Sequence, residues 1–213
     1  MDLSPIINEV LKAFGWFIPI LIIIGIFKSP WGKGYLGEAL VRFLARFMLD
    51  KDTYHRVHNV TLPTPDGTTQ IDHVFVSRFG VFVLETKNMR GWIFGSESQA
   101  QWTQKIYKQS FKFQNTLRQN FKHVKALEAA LQIPSDTIHS VVAFVGGSTF
   151  KTDMPPSVTY GAGFISYIKS FREPVFTGSQ VDALLLKIES GRLAPTFTTH
   201  REHVQNLKTR SDP

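Results

Sequence analysis

Apolar and polar positions follow two periods along this chain, and together they predict short buried strands set among helices. Residues 70–76 and 81–87 are runs of β-branched and aromatic residues with the length of buried strands, and Ser77-Arg78-Phe79-Gly80 between them has the residue types of a turn. Residues 54–61 predict an earlier strand, with Pro63-Thr64-Pro65-Asp66-Gly67 as its turn, so a three-stranded meander is expected. Residues 138–145 predict a further buried strand ending at Gly146-Gly147, and residues 158–165 another. Helical spacing takes over in residues 35–48, where Leu36, Leu40, Phe43 and Phe47 form a stripe expected to pack on the core. It returns in residues 115–131 with Leu117, Phe121, Val124, Leu127 and Leu131, and residues 180–189 and 198–207 also predict helices. This alternation indicates an α/β fold, a mixed central sheet flanked by helices.

The amino-terminal segment departs from both periods. Residues 10–27 are apolar apart from Lys12, about 18 residues or roughly 27 Å of helix against a hydrocarbon layer of ~30 Å, which predicts one transmembrane helix. Lys12 would snorkel toward the headgroups and Trp16 and Trp31 would anchor the interfaces, while Pro19 and Gly25 are tolerated in such a span. Asp2 and Glu9 precede it and Lys28, Lys33, Arg42 and Arg46 follow it, which places the carboxy-terminal side in the cytoplasm. A cleaved signal peptide competes with this reading, but the basic start is missing and Phe27-Lys28-Ser29-Pro30-Trp31 offers no small-x-small cleavage site. A buried core helix or a surface-lying one stays open. The expected organisation is a single-pass anchor and linker over residues 1–33, ending in Ser-Pro-Trp-Gly-Lys-Gly, then one domain over residues 34–213.

Composition changes this picture in two places. A hydrophobic content of 43% in 213 residues supports one α/β domain with a sizeable core. There is no cysteine, which excludes disulfides and thiolate zinc sites and suits a reducing compartment. The net charge of +7 is gathered largely in Lys105, Lys108, Lys112, Arg118, Lys122 and Lys125, a run from 105 to 125 without an acidic residue. A phosphate backbone is the natural complement of such a run, with DNA as the expected partner; a solvated face or attraction to anionic lipid is the alternative.

The candidate chemistry lies on the hairpin. If Val76 faces Val81, counting outward sets Asp72 opposite Glu85, and alternation returns Lys87 to the face of Glu85 while Thr86 points away. Two carboxylates roughly 4 to 5 Å apart repel by about 3 to 4 kcal/mol at an effective dielectric near 20, and one lysine neutralises only one of them. A hard divalent cation such as Mg²⁺, which accepts one or two carboxylates and completes its shell with water and phosphate, resolves the conflict. The competing reading is a structural ion pair made by Lys87. Gln101, Gln104 and Gln119 are amides able to position a water or a phosphate; His73 and His123 read as structural. Gly146-Gly147-Ser148 lacks the lysine and spacing of a phosphate loop and reads as a turn.

The runs Ile71-Asp72-His73-Val74, Ser77 through Asn88 and Arg90-Gly91-Trp92-Ile93 resemble the core of the nuclease-related domain called NERD, of the restriction-endonuclease-like superfamily, whose signature is an Asp followed on the next strand by (Asp/Glu)-x-Lys. Gly37-Glu38, Gln101-Trp102-Thr103-Gln104 and Asn115-Thr116-Leu117-Arg118-Gln119-Asn120, with His123 and Leu127, are similar to further family motifs, so the resemblance covers roughly residues 34–131. Thr116 stands where the family usually has proline. The resemblance implies a restriction-endonuclease-like fold and a nuclease using Mg²⁺ or Mn²⁺. Asp72 and Glu85 would be metal ligands with the Thr86 carbonyl, and Lys87 would act on the attacking water. Gln119 would be a supporting residue. Glu38 would be another, although helix spacing alone pairs it with Arg42.

The expectation is therefore a membrane-tethered, metal-dependent nuclease hydrolysing DNA phosphodiesters on the cytoplasmic side. A non-catalytic nucleic-acid-binding or scaffolding module is the alternative, and a lipid-surface adaptor a third possibility.

Overall fold

Apolar strands buried on both faces need helices on both sides, and the chain supplies them. The computed structural model describes residues 4–194. In chain order these form α1 (Ser4–Lys28), α2 (Pro30–Met48), β1 (His55–Thr64), β2 (Gly67–Ser77), β3 (Gly80–Asn88), β4 (Gly91–Phe94), β5 (Gln101–Ile106), β6 (Gln109–Gln114), α3 (Thr116–Leu131), β7 (Ile138–Val145), β8 (Ser148–Phe150), β9 (Val158–Tyr160), α4 (Gly163–Ser170) and α5 (Gly178–Gly191). The larger sheet has the order β1-β2-β3-β7-β9. Its first three strands are the antiparallel meander, and β7 and β9 run parallel to β3. Val81 and Val83 enter one core with Leu127 and Leu131 of α3 and Ile188 of α5. Phe82 and Leu84 enter the other with Val41 and Ala45 of α2 and Phe164 and Ile168 of α4, as side chains alternating along one strand must.

A second sheet, of order β6-β5-β4-β8, packs against the first through Ile93, Trp102 and Phe144. Strand periodicity along the chain does not announce it. Most of β6 is exposed, so Gln, Ser and Lys interrupt the apolar alternation by which strands are recognised. The strand over 158–165 is also shorter than expected: β9 ends at Tyr160, Gly161 turns the chain at φ 49°, and α4 begins at Gly163. The helix expected over 198–207 lies outside the described residues.

Both predicted helical stripes are corrected. Helix α2 has no linker before it: the Ser29 side chain caps it by accepting from the Gly32 amide at 3.0 Å, with Pro30 in the first turn. Its buried face is Gly32, Gly37, Val41 and Ala45, whereas Leu36, Leu40, Phe43 and Phe47 face outward. Close approach explains the reversal. A Cβ added to Gly37 would lie 2.8 Å from the Asn88 Cβ and 3.3 Å from Val145 Cγ2, so only small residues fit where α2 meets the sheet. On α3, Val124, Leu127 and Leu131 are buried as expected, but Phe121 is exposed and Thr116, Asn120 and His123 are buried instead.

The large apolar side chains of α1 from Phe14 to Phe27 are exposed. Among the described residues no single helix is long and apolar enough to cross a membrane, in contrast to the single span expected over residues 10–27; the pair Phe14–Lys28 and Pro30–Met48, bent by 70°, reaches that length and composition together.

Candidate active site

The hairpin register brings the acids together. Ser77 pairs with Gly80 across an Arg78-Phe79 turn, and the pairing runs through Val76 and Val81 to His73 and Leu84. The paired register ends there, with Asp72 and Glu85 the next residue along each strand. Glycine is required at 80, where φ is 135° and a Cβ would lie 2.8 Å from the His139 ring. On the other side of β2 the ladder pairs His58 with His73 and Val60 with Ile71. Asn59 and Asp72 fall between these pairs, Asn59 with a φ of 54°.

Glu85 is the centre of the cluster, 4% exposed. Its Oε1 accepts from Lys87 Nζ at 2.8 Å and from Gln119 Nε2 at 2.8 Å, and Lys87 Nζ also donates to Gln119 Oε1 at 2.9 Å. Strand and helix are thereby joined in a closed triangle of charged and amide groups. The second oxygen of Glu85 lies 3.3 Å from His123 Nε2, and His123 Nδ1 is 2.7 Å from Thr69 Oγ1. His123 stands four residues from Gln119 on the same helix face, which brings both toward Glu85. His73, by contrast, is buried on the opposite side, its Nδ1 2.8 Å from that of His58. Asp72 Oδ2 accepts the Thr86 amide at 3.0 Å. The Thr86 side chain points toward α2, Cγ2 being 3.4 Å from where a Cβ on Gly37 would sit.

Three carboxylates sense one another here. Burial raises the Asp72 carboxyl well above its ordinary value, and the negative charges of Glu85 and Glu38 raise it further. Burial also works to raise Glu85, but Lys87 and His123 outweigh it and hold that carboxyl low. Glu38 is raised by burial, opposed by Arg42 and reinforced by Glu85. Helix α2 thus carries Glu38 to the site while Arg42 Nη2 donates to it at 3.2 Å, so the expected i,i+4 pair and the proximity to the acids coexist. Among the described residues no three His, Cys, Asp or Glu side chains are arranged to hold a metal ion. The acids present at the site are Asp72 and Glu85, with Lys87 and His123 set against Glu85 and burial favouring the neutral form of Asp72. Two carboxylates are the number that Mg²⁺ accepts while keeping its waters.

The six cations of the basic run are all exposed but divide between two elements. Lys105, Lys108 and Lys112 lie on the β5–β6 hairpin, and Arg118, Lys122 and Lys125 on α3. Lys122 stands one turn from Gln119, Arg118 Nη2 is committed to the Ser98 carbonyl at 2.6 Å, and Lys125 is offset by Glu128 at 2.7 Å. Gln104 holds the Arg90 carbonyl at 2.8 Å, and Gln101 is exposed on β5. A cavity of about 550 Å³ opens beside Lys87 and includes Lys33 and Arg90 with no acidic residue in its wall. Neither residue carries a signal for this in the sequence, because a shared cavity wall between the start of α2 and the β3–β4 turn is visible only in three dimensions.

Two carboxylates and a lysine on adjacent strands of a mixed sheet, met by an amide from a packed helix, define a nuclease-related α/β domain. Residues 33–145, more than half of the chain, match the model of the nuclease-related domain, and the protein belongs to this NERD family. Over 101 residues it is 52% identical to an uncharacterised protein of Bacillus anthracis, a match covering 46% of this chain and 47% of that relative. The matched segment thus spans about half the length of that relative.

Proposed function

We propose that the protein is a metal-dependent nuclease that hydrolyses DNA phosphodiester bonds and is held at the cytoplasmic side of a membrane by its amino-terminal helices. The observation that carries the catalytic reading is the convergence of Lys87, Glu85 and Gln119 within 2.9 Å contacts beside Asp72. Asp72 and Glu85 would hold Mg²⁺ or Mn²⁺, with the Thr86 carbonyl as a further ligand, and the bound ion would polarise a phosphoryl oxygen. The Lys87 ammonium would orient the attacking water and offset negative charge developing on the phosphorane-like transition state. Gln119 would keep Lys87 and Glu85 in register, and Glu38 would add negative potential from α2. Lys33 and Arg90 beside Lys87, with Lys105, Lys108, Lys112, Arg118, Lys122 and Lys125 farther out, would take the DNA backbone. The exposed apolar side chains of α1 support membrane attachment.

The test is divalent-dependent cleavage of plasmid and single-stranded DNA by the full chain. Asp72→Ala and Lys87→Ala are each expected to lower the rate by about 10² to 10³, the range for loss of one transition-state-stabilising group. Cleavage by both variants at the wild-type rate would remove the mechanism. A second reading, a non-catalytic nucleic-acid-binding or scaffolding module, is favoured by the bonding of Glu85 Oε1 to both Lys87 and Gln119, with His123 Nε2 3.3 Å from Oε2. Salt-sensitive DNA binding without turnover in either cation selects it.

A further inference from the structure

The outward row of α2 and a cavity at its carboxy-terminal end have no part in the site above. Leu36, Leu40, Phe43 and Phe47 recur at helical spacing and are exposed, Phe43 by 58% and Phe47 by 70%. Where this row ends, a cavity of about 860 Å³ has Phe47 and Met48 in its wall beside Arg46, Lys51 and Lys169. Among the described residues these three cations make no ion pair. The other cations in the wall are committed: Arg42 to Glu38, and Arg56 to the Ala45 carbonyl at 3.0 Å. Asp50, the acid present, has its carboxylate engaged by Thr53 and the Asp52 amide. Asp50 also acts on Lys51, but the wall stays net positive beside an apolar row, the combination shown by helices that lie in a membrane interface.

We infer that α2 lies along an anionic lipid surface, its outer row in the acyl boundary and the Arg46, Lys51 and Lys169 cavity receiving a phospholipid phosphate headgroup. The inference rests on the membrane attachment proposed above and adds the lipid class and its site. The 70° bend between the helices agrees with this placement: with α2 flat on the surface, α1 stands steeply to it with its exposed apolar side chains available to the bilayer interior. A nucleic-acid phosphate would use the cations but not the apolar row, which favours lipid.

The chain has no cysteine, so a nitroxide on Leu40→Cys reports α2 alone and one on Ile22→Cys reports α1. The full chain is placed in nanodiscs of phosphatidylcholine, with or without phosphatidylglycerol, and each label's collision with oxygen and with a water-soluble nickel chelate is measured. Adding phosphatidylglycerol is expected to move the Leu40→Cys label from nickel-accessible to oxygen-accessible. High salt, or the combined Arg46→Gln, Lys51→Gln and Lys169→Gln changes, is expected to reverse the shift. A Leu40→Cys label that stays in water in both lipids while the Ile22→Cys label is lipid-protected overturns the headgroup site and leaves the attachment standing. An Ile22→Cys label in water in both lipids overturns the attachment itself. If the triple variant keeps the Leu40→Cys shift but loses DNA affinity, the cavity serves nucleic acid and the inference fails.

Discussion

His123 Nε2 lies 3.3 Å from Glu85 Oε2, so a helix residue stands against one oxygen of the strand carboxylate whose other oxygen Lys87 holds at 2.8 Å. Burial alone would raise Glu85; Lys87 and His123 reverse the sign. A carboxyl lowered by folding contributes stability that is present above its ordinary value of 4.5 and lost as pH falls through the lower folded value. His123→Ala is expected to raise the Glu85 carboxyl, move the acid limb of DNA cleavage to higher pH, and weaken the loss of stability in acid. pH–rate profiles and urea midpoints from pH 3 to 7 check both.

Asp72 is predicted to behave in the opposite way. Its carboxyl is raised by burial and by Glu85 and Glu38, so between the ordinary value of 3.8 and the folded one the native state binds more protons than the unfolded chain. Stability of the metal-free protein therefore falls as pH rises through that window. Asp72→Asn is expected to raise the melting temperature at neutral pH and flatten its pH dependence, while abolishing Mg²⁺-induced stabilisation. Thermal melts with and without Mg²⁺ read both effects.

Packing at the helix-to-strand contact leads to a third expectation. In Gly37→Ala the new methyl meets the Asn88 Cβ at 2.8 Å and Val145 Cγ2 at 3.3 Å. Strain of this kind costs about 1 to 3 kcal/mol. Because Glu38 is the next residue, the displaced helix also lowers activity, whereas Leu36→Ala on the exposed side leaves stability within about 0.5 kcal/mol. Denaturant midpoints and cleavage rates of the two variants separate the faces.

Asn120 anchors α3 from below the site. Its buried Nδ2 reaches the Val83 carbonyl at 2.9 Å, Ser140 Oγ at 2.9 Å and the Val141 carbonyl at 3.0 Å. Asn120→Ala is expected to cost about 1 to 3 kcal/mol by leaving buried acceptors underused. Since Gln119 is carried by the same turn, the variant should also lose cleavage rate. Calorimetry gives the first quantity and single-turnover kinetics the second.

The meander was legible because a strand period of two, a short turn and a step count determine register without knowledge of the rest of the molecule. The bounds of β7 were legible for a related reason: an apolar run buried on both faces ends where its glycines begin. The outward row of α2 was misread because helical spacing shows that a stripe exists but not which side meets the sheet. Asn120 was unreadable as a buried group, since a polar side chain is buried only where partners such as Val83 and Ser140 await it.

Local order in the chain thus determined the hairpin with its Val76–Val81 register, the return of Lys87 to the face of Glu85, and the exposed basic run, because each depends on backbone periods of a few residues. Tertiary structure alone decided that Gln119 and His123 close on Glu85, that Glu38 arrives from a helix seated on Gly37, that Lys33 and Arg90 share a cavity wall with Lys87, and that α2 turns its large side chains outward. Those outcomes depend on distances between segments remote in sequence, and close approach at small residues sets such distances.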